Sequence, residues 1–479
     1  MKLKDLANKI GAKEIIGNSE TLISGITIKD KEINKGDLYI CIKGSNFDGH
    51  KFTKEAKNCG ASAILAEYKT DCDLPHIIVD DTRQAMSKAA AVFYNNPAKK
   101  MKIIGVTGTN GKTSVSHLIK EILDKAGKKV GLIGTLGIYF GNTFLESSLT
   151  TPDPIYLHKI FREMYGYGID YVVMEVSAHA IELKKIDGID FEVGVFTNFT
   201  QDHLDFFESM ENYKKAKLNF INSDRCKYVV TNSDDELSRE IVNGAKTLSY
   251  GCYNPADVFA INIVNSENGT KFVLNLFDDI YTVNTKLMGM FNVYNIMAAL
   301  ATTTVLGIDR KLAVSAICEA NVIEGRLEKV TNKNGVNVFV DYAHTPDGLK
   351  RSLEAVKSIT KGKVICLFGC GGNRDFDKRS KMGEISGELA DFTVITSDNP
   401  RYEEPMSIIK EIEDGVVSKT KEFIIIEKRS DAIGYALKIA KPSDSVLIAG
   451  KGAERYQEIL GVKHLYNDKE EIFNYYSGM

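Results

Sequence analysis

Residues 101–113, MKIIGVTGTNGKT, decide the fold of this chain. Apart from Lys102, residues 101–106 are apolar or glycine, which predicts a short buried strand. Apolar residues then recur at helical spacing from Val115 to Ala126, and Gly127 is the expected end of that helix. A buried strand, a glycine-rich turn and a helix N-terminus together form a cradle for phosphate. The stretch therefore predicts an α/β sheet with a nucleotide-phosphate site.

The residues of this turn have distinct expected roles. Lys112 is placed to reach the β- and γ-phosphates of a nucleotide, and the Thr113 hydroxyl to hold Mg²⁺. The usual spacing G-x-x-x-x-G-K-[ST] is not met strictly, because Val106 occupies the first glycine position. The alternative is a glycine-rich turn without a ligand, but the strand–loop–helix context favours the phosphate site. The loop residues expected around the phosphates are Gly108, Thr109, Asn110 and Gly111.

The composition of the 479-residue chain is that of an ordinary soluble protein. The chain is 43% hydrophobic and 26% charged, and its net charge of −3 argues against binding to nucleic acid or a membrane surface. The sequence has no apolar run of about 18 residues, the length of a membrane span, and its N-terminal stretch lacks the apolar core of a signal peptide. Eight scattered cysteines without a CxxC pair fit a reduced, cytoplasmic setting.

The length of the chain predicts about three domains. Pro97 and the lysines after it mark a linker, and the predicted domains cover residues 1–97, 98–325 and 326–479. In the first domain we expect strands at 38–43, 61–67 and 76–79 and a helix at 82–94. The polar turn at 43–50 has two interpretations: a plain loop, or a site for a polar ligand.

In the middle domain, polar side chains directly follow the predicted strands at 130–133, 171–176 and 193–197. Glu175 lies at the end of one strand with Ser177 directly after it, and His203 follows another. The carboxyl ends of parallel strands line the crevice of an open α/β sheet, so Glu175 and His203 are candidate Mg²⁺ ligands beside the phosphates. Taken alone, each would more often be a solvated loop residue. Their placement after a phosphate loop favours a role as Mg²⁺ ligands.

The last domain repeats this pattern. Its strands are expected at 336–340, 364–368, 392–396, 423–426 and 445–448. Polar motifs follow them, namely DYAHTPD (341–347), GCGGNRD (369–375), SDNPR (397–401) and AGKGAE (449–454). Any one of these motifs is more often a plain turn, but four at one edge predict a second binding crevice. Cys366 and Cys370 are expected to pack in its core.

The motifs of the chain resemble those of the Mur ligase family, and within it those of the diaminopimelate-adding members. The resemblance covers essentially the whole chain. It rests on motifs in the family's order: TGTNGKTS, TTPD (150–153), MEVSAHA, TNFTQDHLD, YKKAK (213–217), MGMFNVYN (288–295), GRLE (325–328), DYAHTPD, FGCGGNRD and SDNPR. It implies three α/β domains: a small UDP-substrate domain, a P-loop ATPase-like parallel-sheet domain, and a Rossmann-like amino-acid domain.

The resemblance also implies a reaction, the ATP-dependent formation of an amide bond in peptidoglycan precursor synthesis. ATP would phosphorylate the free carboxylate of UDP-N-acetylmuramoyl-L-alanyl-D-glutamate. The amine of meso-diaminopimelate would attack the acyl phosphate, and phosphate would leave. We therefore expect a cytoplasmic, monomeric enzyme that uses ATP and Mg²⁺ and binds neither nucleic acid nor membrane.

Several residue roles follow from the resemblance alone. Lys217 occupies the position at which the family carries a CO₂-derived carbamate, an anion able to bind Mg²⁺. With Lys112, Glu175 and His203 it would form the catalytic group. Asn292 and Asn295 would meet the adenine side, and Arg326 and Asp341 would close the ATP site. The residues implied to touch the UDP-linked substrate are Thr150, Thr151, Ser177 and Lys185.

The turn Asp398-Asn399-Pro400-Arg401 predicts which amino acid is added. Pro400 makes the turn rigid, and the planar fork of Arg401 is suited to a carboxylate. meso-Diaminopimelate has a distal carboxylate that lysine lacks. The residues expected to complete this site are Arg374, Gly450 and Glu454, with Glu454 accepting from an ammonium group.

The chain departs from the family pattern at a few positions. Lys29-Asp30-Lys31 stands where Asp-Ser-Arg is usual, and lysines would attract a diphosphate only as flexible point charges. Ala453 stands where His is usual, which predicts a looser Glu454. The remaining departures, near the expected nucleotide-sugar site, are Ala178 for Ser, Leu183 for Gln and Lys185 for Arg.

Two other functions remain open. One is a paralogue that joins an amino acid to a different carboxylate; folylpolyglutamate synthetase is of this kind, although its loop typically ends Gly-Lys-Gly-Ser. The other is a nucleotide switch or motor, but the sequence lacks a Walker-B-like acidic strand end paired with a switch segment. ATP turnover that requires both an amino acid and a UDP-linked peptide would separate these functions from the ligase.

Overall fold

The structure is a computed structural model that describes residues 1–44, 47–242, 246–330 and 334–478. Ser45 and Asn46, in the predicted turn at 43–50, lie outside the described residues. The chain divides into two compact units. The first contains Met1–Thr107, Lys128–Gly194 and Asn219–Tyr228, and the second contains Gly108–Gly127, Val195–Leu218 and Val229–Met479.

The N-terminal part of the chain is an α/β sheet covered by amphipathic helices. Its elements are α1 Leu3–Ile10, β1 Glu14–Ile16, β2 Gly25–Thr27, β3 Asp37–Ile40, α2 Thr53–Asn58, β4 Ala63–Ala66, β5 His76–Ile78 and α3 Thr82–Phe93. The strand order is β1-β5-β4-β3-β2, parallel except for the β1–β5 pair. All three predicted strands and the helix are present. The first strand ends earlier than predicted. The apolar pattern indicates burial, and Cys41 is still buried after the strand has ended, so the pattern overestimates the length of the strand.

The middle of the chain begins with the phosphate-loop strand. Its helices are α4 Lys112–Lys125, α5 Pro154–Gly166, α6 Ala178–Glu182, α7 Leu204–Phe207, α8 Met210–Ile221, α9 Met290–Val305 and α10 Arg310–Glu319. Its strands are β6 Lys102–Thr107, β7 Val130–Gly134, β8 Gly137–Phe140, β9 Thr143–Leu145, β10 Tyr171–Glu175, β11 Phe191–Phe196, β12 Cys226–Asn232, β13 Lys246–Gly251, β14 Val258–Ser266, β15 Gly269–Leu276 and β16 Asp279–Thr285. Short 3-10 helices lie at Asp30–Glu32, Gly49–Phe52, Pro97–Lys100 and Glu236–Glu240.

In the first unit, β6, β10 and β7 are parallel neighbours, and Glu175 is in register with Val106. The ends of β6 and β10 therefore lie at the same edge of the sheet, as predicted. In the second unit, β14, β15 and β16 form an antiparallel meander that the sequence analysis did not predict. Its strands expose apolar residues such as Val264 and Ile280, and β14 is irregular between Ile261 and Val264. The sequence therefore shows only a weak form of the apolar–polar alternation that identifies a half-buried strand.

The last sheet carries the second set of polar motifs. Its elements are β17 Glu328–Val330, β18 Asn337–Asp341, α11 Pro346–Ile359, β19 Val364–Phe368, α12 Asp377–Leu389, β20 Phe392–Ile395, α13 Pro405–Val417, β21 Phe423–Ile425, α14 Arg429–Ile439, β22 Ser445–Ala449, β23 Tyr456–Ile459, β24 Val462–Leu465 and α15 Asp468–Ser477. The order is β17-β18-β22-β19-β20-β21, parallel from β18 to β21. All five predicted strands are present. Cys366 and Cys370 are buried as expected, although Cys370 lies beyond the end of β19.

Candidate functional site

The phosphate loop connects β6 to α4 and depends on two glycines. Gly108 has φ +145° and Gly111 has φ +88°, a region that favours glycine. A Cβ at Gly108 would collide with the Thr197 side chain, and one at Gly111 would lie 2.6 Å from Asn295 Oδ1. The loop therefore needs glycine both for its backbone angles and for its packing.

Hydrogen bonds hold the loop in one conformation. The Thr109 N–H donates to the Asn198 carbonyl and the Asn110 N–H to Asn198 Oδ1, both at 2.9 Å. Lys112 Nζ donates to the carbonyls of Gly108 and Thr109, also at 2.9 Å. The ammonium group thus lies against the loop itself, where a cation would offset the charge of a bound phosphate.

Asn292 and Asn295, expected near adenine, lie together in the first turns of α9. Asn292 donates to the Met288 carbonyl at 2.8 Å, and Asn295 Nδ2 donates to Asn292 Oδ1 at 3.0 Å. Both residues are buried. Because Asn295 also borders Gly111, the structure brings this pair against the phosphate loop.

Arg326 reaches the phosphate loop from the start of the last sheet. Its Nη2 donates to Thr113 Oγ1 at 2.8 Å, and its guanidinium lies over the Tyr342 ring at 4.5 Å. Asp341 is the last residue of β18. Its carboxylate accepts from Ser352 Oγ and the Ala343 N–H at 2.9 Å and from the Leu327 N–H at 2.5 Å. Asp341 therefore fixes the backbone that carries Arg326.

A second connection to the phosphate loop was not predicted from the sequence. Asn110 Nδ2 donates to Asp347 Oδ2 at 3.1 Å, and Arg351 Nε donates to both oxygens of that carboxylate, at 2.8 and 2.9 Å. Asp347 belongs to the quoted motif DYAHTPD, but nothing in the sequence indicated that it contacts Asn110. Such a contact joins segments more than 200 residues apart and emerges only from the fold.

Lys217 is buried in α8, with 1% of its surface exposed. Its Nζ lies 4.5 Å from the centre of the Tyr213 ring. In the described part of the chain, no carboxylate oxygen lies within 4.0 Å of this Nζ. Burial lowers the pKa of Lys217 well below its ordinary value, and the nearby charge of Lys112 lowers it further. An unpaired ammonium here is costly, so the environment favours a neutral amine.

His203 contacts the same Tyr213 ring edge-on, with 5.9 Å between ring centres. Its Nε2 is 3.2 Å from Asp202, a buried carboxylate that also lies 3.6 Å from Lys378 and 3.8 Å from His344. Burial acts to raise the pKa of Asp202, but the interactions with His203, Lys378 and His344 lower it below its ordinary value. Of these residues only His203 was assigned a role from the sequence; Asp202, Lys378 and His344 were not.

In the first unit, the residues expected to bind the UDP-linked substrate surround Glu175. Glu175 accepts the N–H and the hydroxyl of Thr135 at 2.9 and 3.0 Å. Thr151 Oγ1 donates to the Glu175 carbonyl at 2.8 Å and accepts the Ser177 N–H at 3.0 Å, and Thr150 lies 3.1 Å from Thr135. The motifs TTPD and MEVS, predicted separately, thus form one cluster.

The basic residues on this side of the molecule have acidic partners. Lys185 pairs with Asp153 at 2.7 Å. Lys29 pairs with Glu32 at 2.7 Å on the surface, where such pairs contribute little to stability. Across the described ranges, no three His, Cys, Asp or Glu side chains come together as a ready-made metal site. A Mg²⁺ ion needs few protein ligands because it keeps several waters, so Thr113, Glu175 and His203 remain candidates.

Arg401 and Arg374 both border Gly371 in the last sheet. Arg401 Nη1 donates to the Gly372 carbonyl at 2.8 Å, and its Nε lies 3.3 Å from Glu458. Arg374 is more exposed and lies 3.9 Å from Asp205. The structure therefore brings the two arginines to the edge predicted to bind a carboxylate.

Asp398, Asn399, Gly450 and Glu454 form the neighbouring polar cluster. Asn399 Nδ2 donates to Glu454 Oε2 at 2.9 Å. Gly450 has φ +112°, and a Cβ there would lie 2.7 Å from Asp398 Oδ2. Asn399 and Lys451 both donate to the Glu454 carboxylate, and the looser Glu454 expected from Ala453 stays a prediction.

The fold and the phosphate loop define an ATP-dependent ligase built from three α/β domains. The family model "Mur ligase family, catalytic domain" matches residues 22–94, "Mur ligase middle domain" matches 106–303, and "Mur ligase, glutamate ligase domain" matches 325–452. In the described residues, no helix has the length and apolar character needed to cross a membrane.

Two similar proteins of known name are ligases of one kind. The UDP-N-acetylmuramoyl-L-alanyl-D-glutamate–2,6-diaminopimelate ligase of Bacillus velezensis is 42% identical over 480 residues, covering 98% of each chain. That of Clostridioides difficile is 41% identical over 476 residues, with the same coverage. A solved structure of such a ligase has a TM-score of 0.72 at 28% identity and covers 100% of this chain and 99% of that one. The chain belongs to the Mur ligase family.

Proposed function

We propose that this enzyme uses ATP to join meso-diaminopimelate to UDP-N-acetylmuramoyl-L-alanyl-D-glutamate. The observation that carries the proposal is the edge at which Arg401 and Glu454 offer a cation and a carboxylate. A diamino dicarboxylic acid has the complementary pair of groups. The relatives reported above have names that specify the same reaction, which supports this choice of substrate.

The ATP chemistry is largely electrostatic. Lys112 would offset the phosphate charge, while Asn295 borders the loop at Gly111 and Arg326 donates to Thr113. Bound Mg²⁺ would neutralise further phosphate charge, with Thr113, Glu175, His203 and a carbamate on Lys217 as its candidate protein ligands. Holding the carboxylate and the amine in line then converts two bimolecular steps into reactions within one complex.

The UDP-linked dipeptide would bind at the Thr150–Thr151–Ser177 cluster, with Lys185 nearby. We assign the UDP, ATP and amino-acid roles to residues 1–97, 98–325 and 326–479 respectively. The proposal includes a monomeric, cytoplasmic enzyme. The free thiols of all eight cysteines fit such a reducing compartment.

A product assay by mass tests the proposal. The enzyme is incubated with ATP and Mg²⁺, and acceptors and amino acids are varied one at a time. We expect a product only with the UDP-muramoyl dipeptide and meso-diaminopimelate, together with stoichiometric ADP and phosphate. A product with another carboxylate acceptor would instead identify the paralogue function, and ATP turnover without either substrate would identify a switch.

Arg401→Ala should erase most of the preference for meso-diaminopimelate over L-lysine. The parent should strongly prefer diaminopimelate, because Arg401 pairs with its distal carboxylate and lysine lacks that group. The two amino acids are compared at equal concentration by kcat/KM. Arg455→Ala is the matched control, since Arg455 is an exposed arginine of the same sheet region. A parent enzyme that prefers lysine would contradict the assignment.

A further inference from the structure

A fully buried ammonium group in the last sheet has no role in the chemistry described so far. Lys451 follows β22 and Gly450 and has 0% of its surface exposed. Burying a lysine is costly unless its charge is paired and hydrogen-bonded. Its partners are therefore the first clue to its function.

The hydrogen-bond partners of Lys451 belong to the amino-acid cluster. Its Nζ donates to Asn399 Oδ1 at 2.9 Å and to Glu454 Oε2 at 3.0 Å, and it lies 3.9 Å from Asp398 Oδ1. Asn399 Nδ2 donates to the same Glu454 oxygen at 2.9 Å. Two donors thus fix Glu454 Oε2, and in the described chain Glu454 Oε1 has no protein donor. The carboxylate is oriented with one oxygen left for a ligand.

The same ammonium balances the local charge. Burial acts to raise the pKa of Asp398, but the charges of Lys451 and Arg429 lower it, so Asp398 is ionised. Arg429 is mostly committed elsewhere, because it makes two 2.8 Å hydrogen bonds to the buried carboxylate of Asp468. Arg429 Nη1 remains 4.0 Å from Asp398, but without Lys451 the Glu454 carboxylate would lose the cation that lies 3.0 Å from its Oε2. Such a site would repel a substrate that brings a further carboxylate.

We infer that Lys451 is a positioning residue that sets amino-acid specificity. It aims Glu454 at the substrate ammonium and neutralises the site, so that a dicarboxylic amino acid is accepted. It also donates a hydrogen bond that orients Glu454, which the Ala453 side chain cannot do because it has no donor. This inference rests on the proposed function and deepens it.

The test uses Lys451→Met, which removes the charge and the donors, and Lys451→Gln, which keeps a donor without the charge. KM and kcat are measured for meso-diaminopimelate and for L-lysine. We expect Lys451→Met to raise KM for diaminopimelate about 10- to 100-fold, the loss typical of a hydrogen bond to a charged group. The preference over L-lysine should fall, kcat should change less than KM, and Lys451→Gln should lie between parent and Met.

Lys463→Met is the matched control. Lys463 lies over the Tyr456 ring at 4.1 Å, the same ring that Lys451 faces at 5.8 Å, but it is exposed. It should behave as the parent. Thermal unfolding and ATP binding establish that each variant is folded; if Lys451→Met is unstable, Lys451→Gln carries the comparison.

The outcomes separate the two proposals. A folded variant with unchanged KM for diaminopimelate, or with equal losses for both amino acids, overturns the role of Lys451 and leaves the proposed function intact. Calorimetry in the presence of ATP measures how the Lys451 variants change the affinity for meso-diaminopimelate, without requiring turnover. A parent that binds diaminopimelate but does not ligate it overturns only the proposed function. A parent that does neither overturns both.

Discussion

Lys112→Ala is expected to abolish ATP-dependent ligation while leaving the protein folded. Lys112 Nζ lies against the phosphate loop, held by the carbonyls of Gly108 and Thr109. Charge develops on the phosphates as the terminal group is transferred, and a cation fixed in advance stabilises it without reorganisation. Removing one such electrostatic contact typically costs about 10²-fold or more in rate. Single-turnover formation of ADP with saturating acceptor and amino acid measures the loss.

Lys120→Ala provides the control for this experiment. Lys120 lies on the same helix, where it pairs with Asp124 at the surface, so its removal should leave turnover unchanged. Both variants should unfold at nearly the parent temperature, because surface ion pairs and the loop contacts of a single lysine contribute little. Near-normal turnover by folded Lys112→Ala would refute the assignment of this loop to ATP.

The sequence predicted the features that depend on local pattern. The strand, loop and helix around Gly108 and Gly111 were recognisable because buried strands, amphipathic helices and φ-demanding turns each have a short-range signature. The ends of the parallel strands then indicated where polar groups would gather. The 3-10 helix at Asp30–Glu32 and the exposed hairpin of β23 and β24 were missed, since neither buries a continuous apolar face.

The partners of the site residues were not predictable in the same way. Asp347 contacts Asn110, and Lys451 contacts Asn399 and Glu454, only because the fold juxtaposes distant segments. A lysine or aspartate beside a glycine in a loop is usually solvated, so burial had to be seen before Lys451 became informative.

Lys217→Ala should lose most activity, and added acetate or formate should restore part of it. A neutral amine adds to CO₂ through an N–C bond and releases one proton, which leaves a carbamate anion on the side chain. Burial already favours the neutral amine of Lys217, since it holds the pKa well below the ordinary value. A carbamate there would supply a carboxylate oxygen for Mg²⁺, whereas an ammonium would repel the ion. A small carboxylate entering the space left by the lysine would substitute for it.

The carbamate can be observed apart from turnover. With ¹³C-bicarbonate, the parent should show a carbamate carbon signal that Lys217→Ala lacks. The signal should weaken as the pH falls, because protonation of the amine competes with addition of CO₂. Lys214→Ala is the control, since Lys214 is a partly exposed lysine one turn earlier that pairs with Glu211 and Glu240.

The three measurements distinguish a chemical role from a structural one. A buried lysine that served only packing would leave no carbon signal, and its loss would not be rescued by formate. Tyr213 and His203 would still pack together in Lys217→Ala, because their edge-on contact does not include the ammonium group. If Lys217→Ala is as active as the parent, the carbamate hypothesis is wrong. Loss of activity with rescue, together with the pH-dependent signal, would establish that this helix carries an anion made from a lysine.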